Sequence, residues 1–113
     1  MLKKDLRIRR QRDFDRIFKE GVFFSSGYLA LKLAKNDLFY SRFGFVVSNK
    51  ISKQAVKRNR MKRLLRESIR ASYKNIAPGF DVVMMARVDF SEKKMAETKD
   101  TVDNLLKKSG LCA

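Results

Sequence analysis

Two short apolar segments, residues 42–48 and 81–87, flank one long amphipathic helical pattern, and this arrangement narrows the fold more than any other feature of the chain. In the first, Phe43, Phe45 and Val47 alternate with Gly44, Val46 and Ser48, which predicts a strand. The second, DVVMMAR, is continuous and apolar, as suits a strand buried on both faces. Between them Met61, Leu64, Leu65, Ser68, Ile69 and Ser72 recur at three- and four-residue spacing and share one face of a helix. That helix begins near Ser52 and ends before the turn signal Pro78-Gly79. A strand, a helix of about twenty residues and a second strand make a βαβ unit, so part of the sheet is expected to be parallel.

The rest of the chain adds elements on either side. Residues 1–12 are basic and are expected to run extended over the surface. RDFDRIFKEG, residues 12–21, reads as a short helix: Asp13 and Asp15 favour its N-terminal turn, and Gly21 is expected to stop it in the left-handed conformation. Phe14, Ile17 and Phe18 share one face and predict core packing, with base stacking by the phenylalanines as the alternative. The period then changes to two. Leu29, Leu31 and Leu33 alternate with Tyr28, Ala30 and Lys32, residues 22–25 suit a short preceding strand, and Ser26-Gly27 a turn. Residues 28–35 and 42–48 are close enough to pair as an antiparallel hairpin. Ser91 is placed to cap a last helix whose apolar face is Met95, Val102, Leu105 and Leu106 and whose stop is Gly110. The expected order is αβββαβα: an α+β domain spanning residues 1–113, with a small mixed sheet packed by helices.

The other face of the long helix points to function. Asn59, Arg63, Arg66 and Arg70 form a stripe opposite the apolar side, with Arg60 and Lys62 beside it and Lys57 and Arg58 nearer the core. Stacking like charges at this spacing destabilises an isolated helix, so the pattern indicates a polyanionic partner. The formal net charge is +15. Residues 1–80 carry 21 bases and 6 acids, whereas residues 81–113 carry 6 of each, so the excess lies in the first part of the chain. Nucleic acid is the favoured partner, with an anionic membrane surface as the rival.

Other classes find little support. There is no histidine, and the single Cys112 cannot make a ligand cluster, which argues against zinc or haem sites of the usual kind. Carboxylates such as Asp81 and Asp89 are scattered, so a nuclease with a carboxylate-held metal pair is only weakly supported. No glycine-rich phosphate loop marks a small-molecule substrate, and no apolar run approaches a membrane span. A cytoplasmic nucleic-acid-binding protein, poor in catalytic side chains and without a protein-held metal, is the expectation.

KRNRMKRLLRES, residues 57–68, resembles the RNR signature of the protein subunit of bacterial ribonuclease P, in Arg58-Asn59-Arg60 followed by Lys62, Arg63 and Arg66. RDFDRIFKEG, RFGFVVSNK and FDVVMMAR match the same family in the same order, so the resemblance covers nearly the whole chain. It implies a βαβ crossover of left-handed sense, against the general preference. It also implies a role in removing the 5-prime leader of precursor tRNA, with the chemistry on a catalytic RNA and magnesium bound mainly by RNA. The implied contacts to that RNA are Lys50, Arg58, Asn59, Arg60, Lys62, Arg63 and Arg66. A cleft for the precursor-tRNA leader would be lined by Phe14, Phe18, Tyr28, Ala30 and Lys32. The chain departs from the family pattern where Asn49-Lys50 and Ser52 replace a usual lysine pair and glycine, and at Lys32, where some members carry an aromatic residue. A ribosomal or tRNA-binding structural protein is the alternative function.

Overall fold

The computed structural model describes residues 3–112. Its elements are α1 (Gln11–Glu20), β1 (Val22–Ser26), β2 (Leu29–Lys35), β3 (Arg42–Val46), α2 (Ala55–Ser72), β4 (Phe80–Ala86) and α3 (Met95–Lys108), with single 3-10 turns at Lys4–Leu6 and Tyr73–Asn75. The αβββαβα order is the one the sequence patterns predict. The four strands form one sheet in the order β1-β2-β4-β3, with β1–β2 and β2–β4 antiparallel and β3–β4 parallel. The parallel pair and α2 are the expected βαβ unit.

The expected hairpin between β2 and β3 does not form, because β4 lies between them. The apolar content of β4 explains the insertion: Val82 and Met84 face one side of the sheet, Val83 the other, and all three are fully buried. A strand apolar on both faces gains most in the centre. Its two faces define two cores. On one, α2 and α3 cover Leu29, Leu31, Phe43, Val82 and Met84. On the other, α1 covers Val83 with Ile17 and Ile8, and Phe14 packs at their side.

The buried face of α2 is Met61, Leu64, Leu65, Ser68, Ile69 and Ser72, the set that its periodicity marks. The helix starts at Ala55, three residues beyond Ser52, whose hydroxyl accepts a hydrogen bond from the Gln54 amide at 3.3 Å and so holds the approach turn. Likewise α3 begins at Met95, not at Ser91; the Ser91 amide donates to Asp89 Oδ1 at 2.8 Å, closing a turn of its own ahead of the helix. Gly110, at φ +81°, does terminate α3.

Gly21 ends α1 for a different reason from the one expected. Its φ of −70° is extended, open to any residue. A Cβ there would run into the Ile17 carbonyl of α1 itself and come within 3.2 Å of the Leu33 carbonyl and the Lys32 Cβ, so glycine is required chiefly by the last turn of its own helix, with β2 close behind. The N-terminal segment is also more tightly held than an extended surface tail. Arg7 bridges in parallel to Phe43, the Ile8 amide donates to the Phe43 carbonyl at 2.8 Å, and Ile8 is buried under α1.

Candidate nucleic-acid interface

Helix α2 presents its charge to solvent because its opposite face is anchored in the larger core. Asn59 and Arg63 are exposed, and Arg66 and Lys62 are half-buried at the edge of that core. Among the described residues none of Lys50, Arg58, Arg60, Lys62, Arg63 and Arg66 forms an ion pair, whereas Arg70 is held by Glu67 at 3.0 Å. The N-terminal end adds to the field: Gln54 supplies no side-chain cap, and the first turn holds no acid. Free amides and the positive end of the helix dipole therefore sit among cations, an arrangement suited to phosphate. Beside that end, Lys50, Lys53, Asn49 and Arg58 line one open groove of about 400 Å³.

Not every cation of the stripe is equally free. Arg60 donates through Nε to the Ser91 carbonyl at 2.5 Å and through Nη2 to Lys93 O at 3.4 Å, which ties α2 to the segment before α3. Arg58 donates to the Ser52 carbonyl at 2.9 Å. Arg66 is the strained member. Burial, and then the charges of Arg7 and Arg63, push its guanidinium below the ordinary arginine pKa, with Glu67 opposing them. The Nε atoms of Arg66 and Arg7 are both buried without a hydrogen-bond partner.

On the far side of the sheet, strand register creates a trough beside α1. Phe23, Lys32, Val83 and Gly44 form one cross-strand row, and Ser25, Ala30, Met85 and Val46 the next. Phe14 lies over Gly44, its ring atoms 2.6 and 2.8 Å from where a Cβ would stand, so only glycine lets α1 dock this closely. Phe18 remains 37% exposed at the trough wall. Lys32 Nζ lies 5.9 Å from the Phe18 ring centroid and donates to the Phe18 carbonyl at 2.7 Å.

Four of the five expected cleft residues, Phe14, Phe18, Ala30 and Lys32, therefore meet on one side of the sheet. Tyr28 does not. It occupies the β1–β2 turn, where its ring packs 4.9 Å from Phe90 against the opposite core and its hydroxyl is buried without a partner. The turn at Gly27, φ +58°, breaks the alternation that places Tyr28 with Ala30. Phe23, 54% exposed and directly opposite Lys32, was not marked by the sequence reading although the period-two pattern of β1 carries the signal. Val46 and Met85 are equally silent in sequence, because their place in the trough depends on β4 lying between β2 and β3.

Asp81, a weak candidate for metal chemistry, is instead a structural anion. Its side chain is fully buried. It accepts two hydrogen bonds from Arg42, at 2.9 and 2.7 Å, one from Arg16 at 2.6 Å and one from Asn36 at 2.9 Å. Burial pushes this carboxyl up, but hydrogen bonds from Arg42 and Asn36 and the charges of Arg42 and Arg16 outweigh it and hold the pKa below the usual carboxylate range. Asp89 is similarly engaged by Ser91.

A basic helix whose single acid, Glu67, is engaged with Arg70, on a small α+β sheet with a separate trough, is a design suited to binding RNA. Known proteins carry the same design: the profile of the Ribonuclease P family matches residues 2–110. The ribonuclease P protein component of Clostridium acetobutylicum is 37% identical over 110 residues, covering 96% of this chain and 92% of that protein. That of Clostridium novyi is 38% identical, with 97% and 98% covered. The fold superposes on the Thermotoga maritima RNase P protein with a TM-score of 0.81 at 38% identity, covering 90% and 96% of the two chains. For the Staphylococcus aureus protein the TM-score is 0.86 at 26% identity, with 96% and 98% covered. The chain belongs to the ribonuclease P protein family, whose members are the protein components of an RNA–protein endoribonuclease of tRNA processing.

Proposed function

We propose that α2 holds the catalytic RNA while the trough beside α1 receives the single-stranded leader of precursor tRNA. The observation that carries this reading is the separation of the two surfaces: the unpaired cations of α2 lie on one side of the sheet, and Phe18, Phe23 and Lys32 on the other. Two RNA strands can then be held at once without competing for one site. Arg63, exposed and unpaired, meets phosphate most directly; Lys50 and Arg58 act at the uncapped helix end; Asn59 and Lys62 complete the surface. Arg66 gains acceptors when a phosphate satisfies its orphaned Nε. Arg60 acts mainly by fixing α2 through Ser91.

In the trough Phe18 and Phe23 offer stacking faces of the kind single-stranded nucleic acid uses. Ala30, 2% exposed, leaves the floor shallow. Lys32 supplies a cation at the level of the strand. Phe14 supports the wall from beneath.

Magnesium belongs with this reading as the reaction's metal, and the protein's donors do not fit it. Among the described residues no three carboxylate, histidine or cysteine side chains converge, and Asp81 is committed to two arginines. We assign the metal to RNA phosphates and derive no step through protein-held magnesium. The cytoplasm is the compartment that fits such a partner RNA. Among the described residues no helix is long and apolar enough to cross a membrane.

Purified protein, catalytic RNA and precursor tRNA test the proposal in magnesium buffer. Cleavage at the mature 5-prime end is expected only when the catalytic RNA is present; cleavage by the protein alone overturns it. Phe18→Ala is expected to lower the holoenzyme's preference for precursor over mature tRNA. An unchanged ratio in the folded variant removes Phe18 from leader binding.

A further inference from the structure

One cleft lined by described residues shares no residue with the α2 stripe or the trough. It holds about 580 Å³ between the N-terminal segment, the first turn of α1 and the β2–β3 loop. Arg9, Arg10, Arg12 and Lys35 line it, and among the described residues none of the four forms an ion pair. Arg16 and Arg42, deeper in the cleft, pair with Asp81 and Asp13; Asp5 and Asp37 also line the cleft, and with Lys4 and Arg7 beside the outer four its lining keeps an excess of bases over acids. The N-terminal turn of α1 opens into the same space with no side-chain cap at Arg10, adding the positive end of its dipole.

Phe39, 90% exposed, stands between Leu38 and Tyr40, both of which line the cleft. A lone exposed phenylalanine is ordinary on a protein surface. Here, however, the loop that carries it is tightly held. The Asn36 side chain donates to the Tyr40 carbonyl at 3.2 Å and to Asp81, accepts from the Leu38 amide at 2.9 Å, and the Asn36 amide donates to the Gly79 carbonyl at 2.9 Å. Tyr40 lines the cleft and meets the Phe39 ring edge-on at 5.2 Å. The loop thus presents an aromatic face beside four unpaired cations at little further ordering cost.

We propose that this cleft binds an unpaired RNA segment, with phosphates on Arg9, Arg10, Arg12 and Lys35 and a base stacked on Phe39. The proposal rests on the chain acting as a ribonuclease P protein. Combined cationic and aromatic groups are the chemistry of single-strand binding. Arg7 lines the cleft and bridges to Phe43 of β3, the strand that leads into α2, and its charge bears on Arg66, so the cleft lies next to the basic helix. That proximity favours the catalytic RNA as the source of the strand. A second copy of this chain is disfavoured, because two molecules each of formal charge +15 repel at such a surface.

The test measures binding of the full protein to catalytic RNA, and of the reconstituted holoenzyme to precursor tRNA, over a salt series. Phe39→Ala, Phe39→Tyr and Arg12→Gln are compared with the wild type; among the described residues the Arg12 side chain has no hydrogen-bond or ion-pair partner, and unchanged melting confirms the fold. Phe39→Ala is expected to weaken binding roughly 5- to 150-fold with an unchanged salt slope, and Phe39→Tyr to retain affinity. Arg12→Gln is expected to flatten the log–log salt slope by about 0.7. Losses in the catalytic-RNA arm support the favoured source; losses confined to the precursor arm support the site and assign its strand to precursor tRNA. Unchanged affinity in both arms overturns the inference, as does loss of self-association without loss of RNA affinity. If the wild type fails to bind catalytic RNA at all, the functional reading itself falls.

Discussion

Asp81→Asn probes the electrostatic joint of the fold. The substitution preserves shape, but it removes the charge shared by Arg16 and Arg42 and turns one acceptor oxygen into a donor. Four hydrogen bonds from three elements converge on this carboxylate, joining α1, β3 and the β2–β3 loop to β4. Breaking a buried pair costs roughly 3–5 kcal/mol when a charge is stranded. Arg16 and Arg42 keep 33% and 22% side-chain exposure, so both can turn partly toward water and the lower end applies. We expect a loss of about 3 kcal/mol, which at roughly 3–4 °C per kcal/mol for this length lowers Tm by about 10 °C. Urea unfolding followed by circular dichroism measures it. The pH dependence has a definite sign. The folded pKa of Asp81 is depressed, so its stabilisation is fully present above the unfolded value of about 3.9 and is lost as pH falls through the lower folded value. The gap between wild type and Asp81→Asn should therefore be constant near neutrality and close in acid. A gap below about 1 kcal/mol at pH 7, or one that widens in acid, refutes the reasoning.

Three further outcomes follow from other parts of the molecule. Arg63→Lys, which keeps charge but loses the planar donor fork, should weaken binding to catalytic RNA in a filter-binding titration, and Arg63→Ala should also flatten the salt slope by about 0.7–0.9. Leu105→Ala empties a fully buried position of α3 and should cost about 2–5 kcal/mol in denaturant unfolding, with RNA affinity of the folded fraction unchanged. Gly44→Ala drives a methyl into the Phe14 ring and should cost about 1–3 kcal/mol by calorimetry, partly recovered when Phe14→Leu is added.

The helices and the parallel pair were legible because their signals are local. The six buried residues of α2 follow from 3.6-residue periodicity, and the central place of β4 is foreshadowed by its continuous apolar run. Pairing between β2 and β3 was misjudged because sequence proximity favours a hairpin, whereas burial of both faces of β4 outweighs it. Gly21 shows the same limit at a single residue: an end-of-helix glycine suggests a left-handed turn, yet its need arises from contact with the Ile17 carbonyl of its own helix, tightened by β2 residues eleven and twelve positions away. The cationic stripe of α2 was legible as charge. Which of its members is already occupied was not, since the partners of Arg60 lie 31 and 33 residues distant.

Lys32 shows how a change of residue type alters a site without moving it. An aromatic side chain here would add a third stacking face beside Phe18 and Phe23. The lysine instead donates to the Phe18 carbonyl, one of the open acceptors at the end of α1, and places its ammonium near the Phe18 ring. Both contacts hold the C-terminal turn of α1 to β2, where the absence of a Cβ at Gly21 permits the approach. The cation is thus stationed at the wall of the trough and partly occupied by it. If the trough takes the leader as proposed, a leader phosphate must compete with a backbone carbonyl for this donor, so the net gain from Lys32 is smaller than that of an unpaired surface lysine. On that proposal the aromatic pair Phe18 and Phe23 is left to supply most of the grip, and the charge on Lys32 mainly sets the position of Phe18.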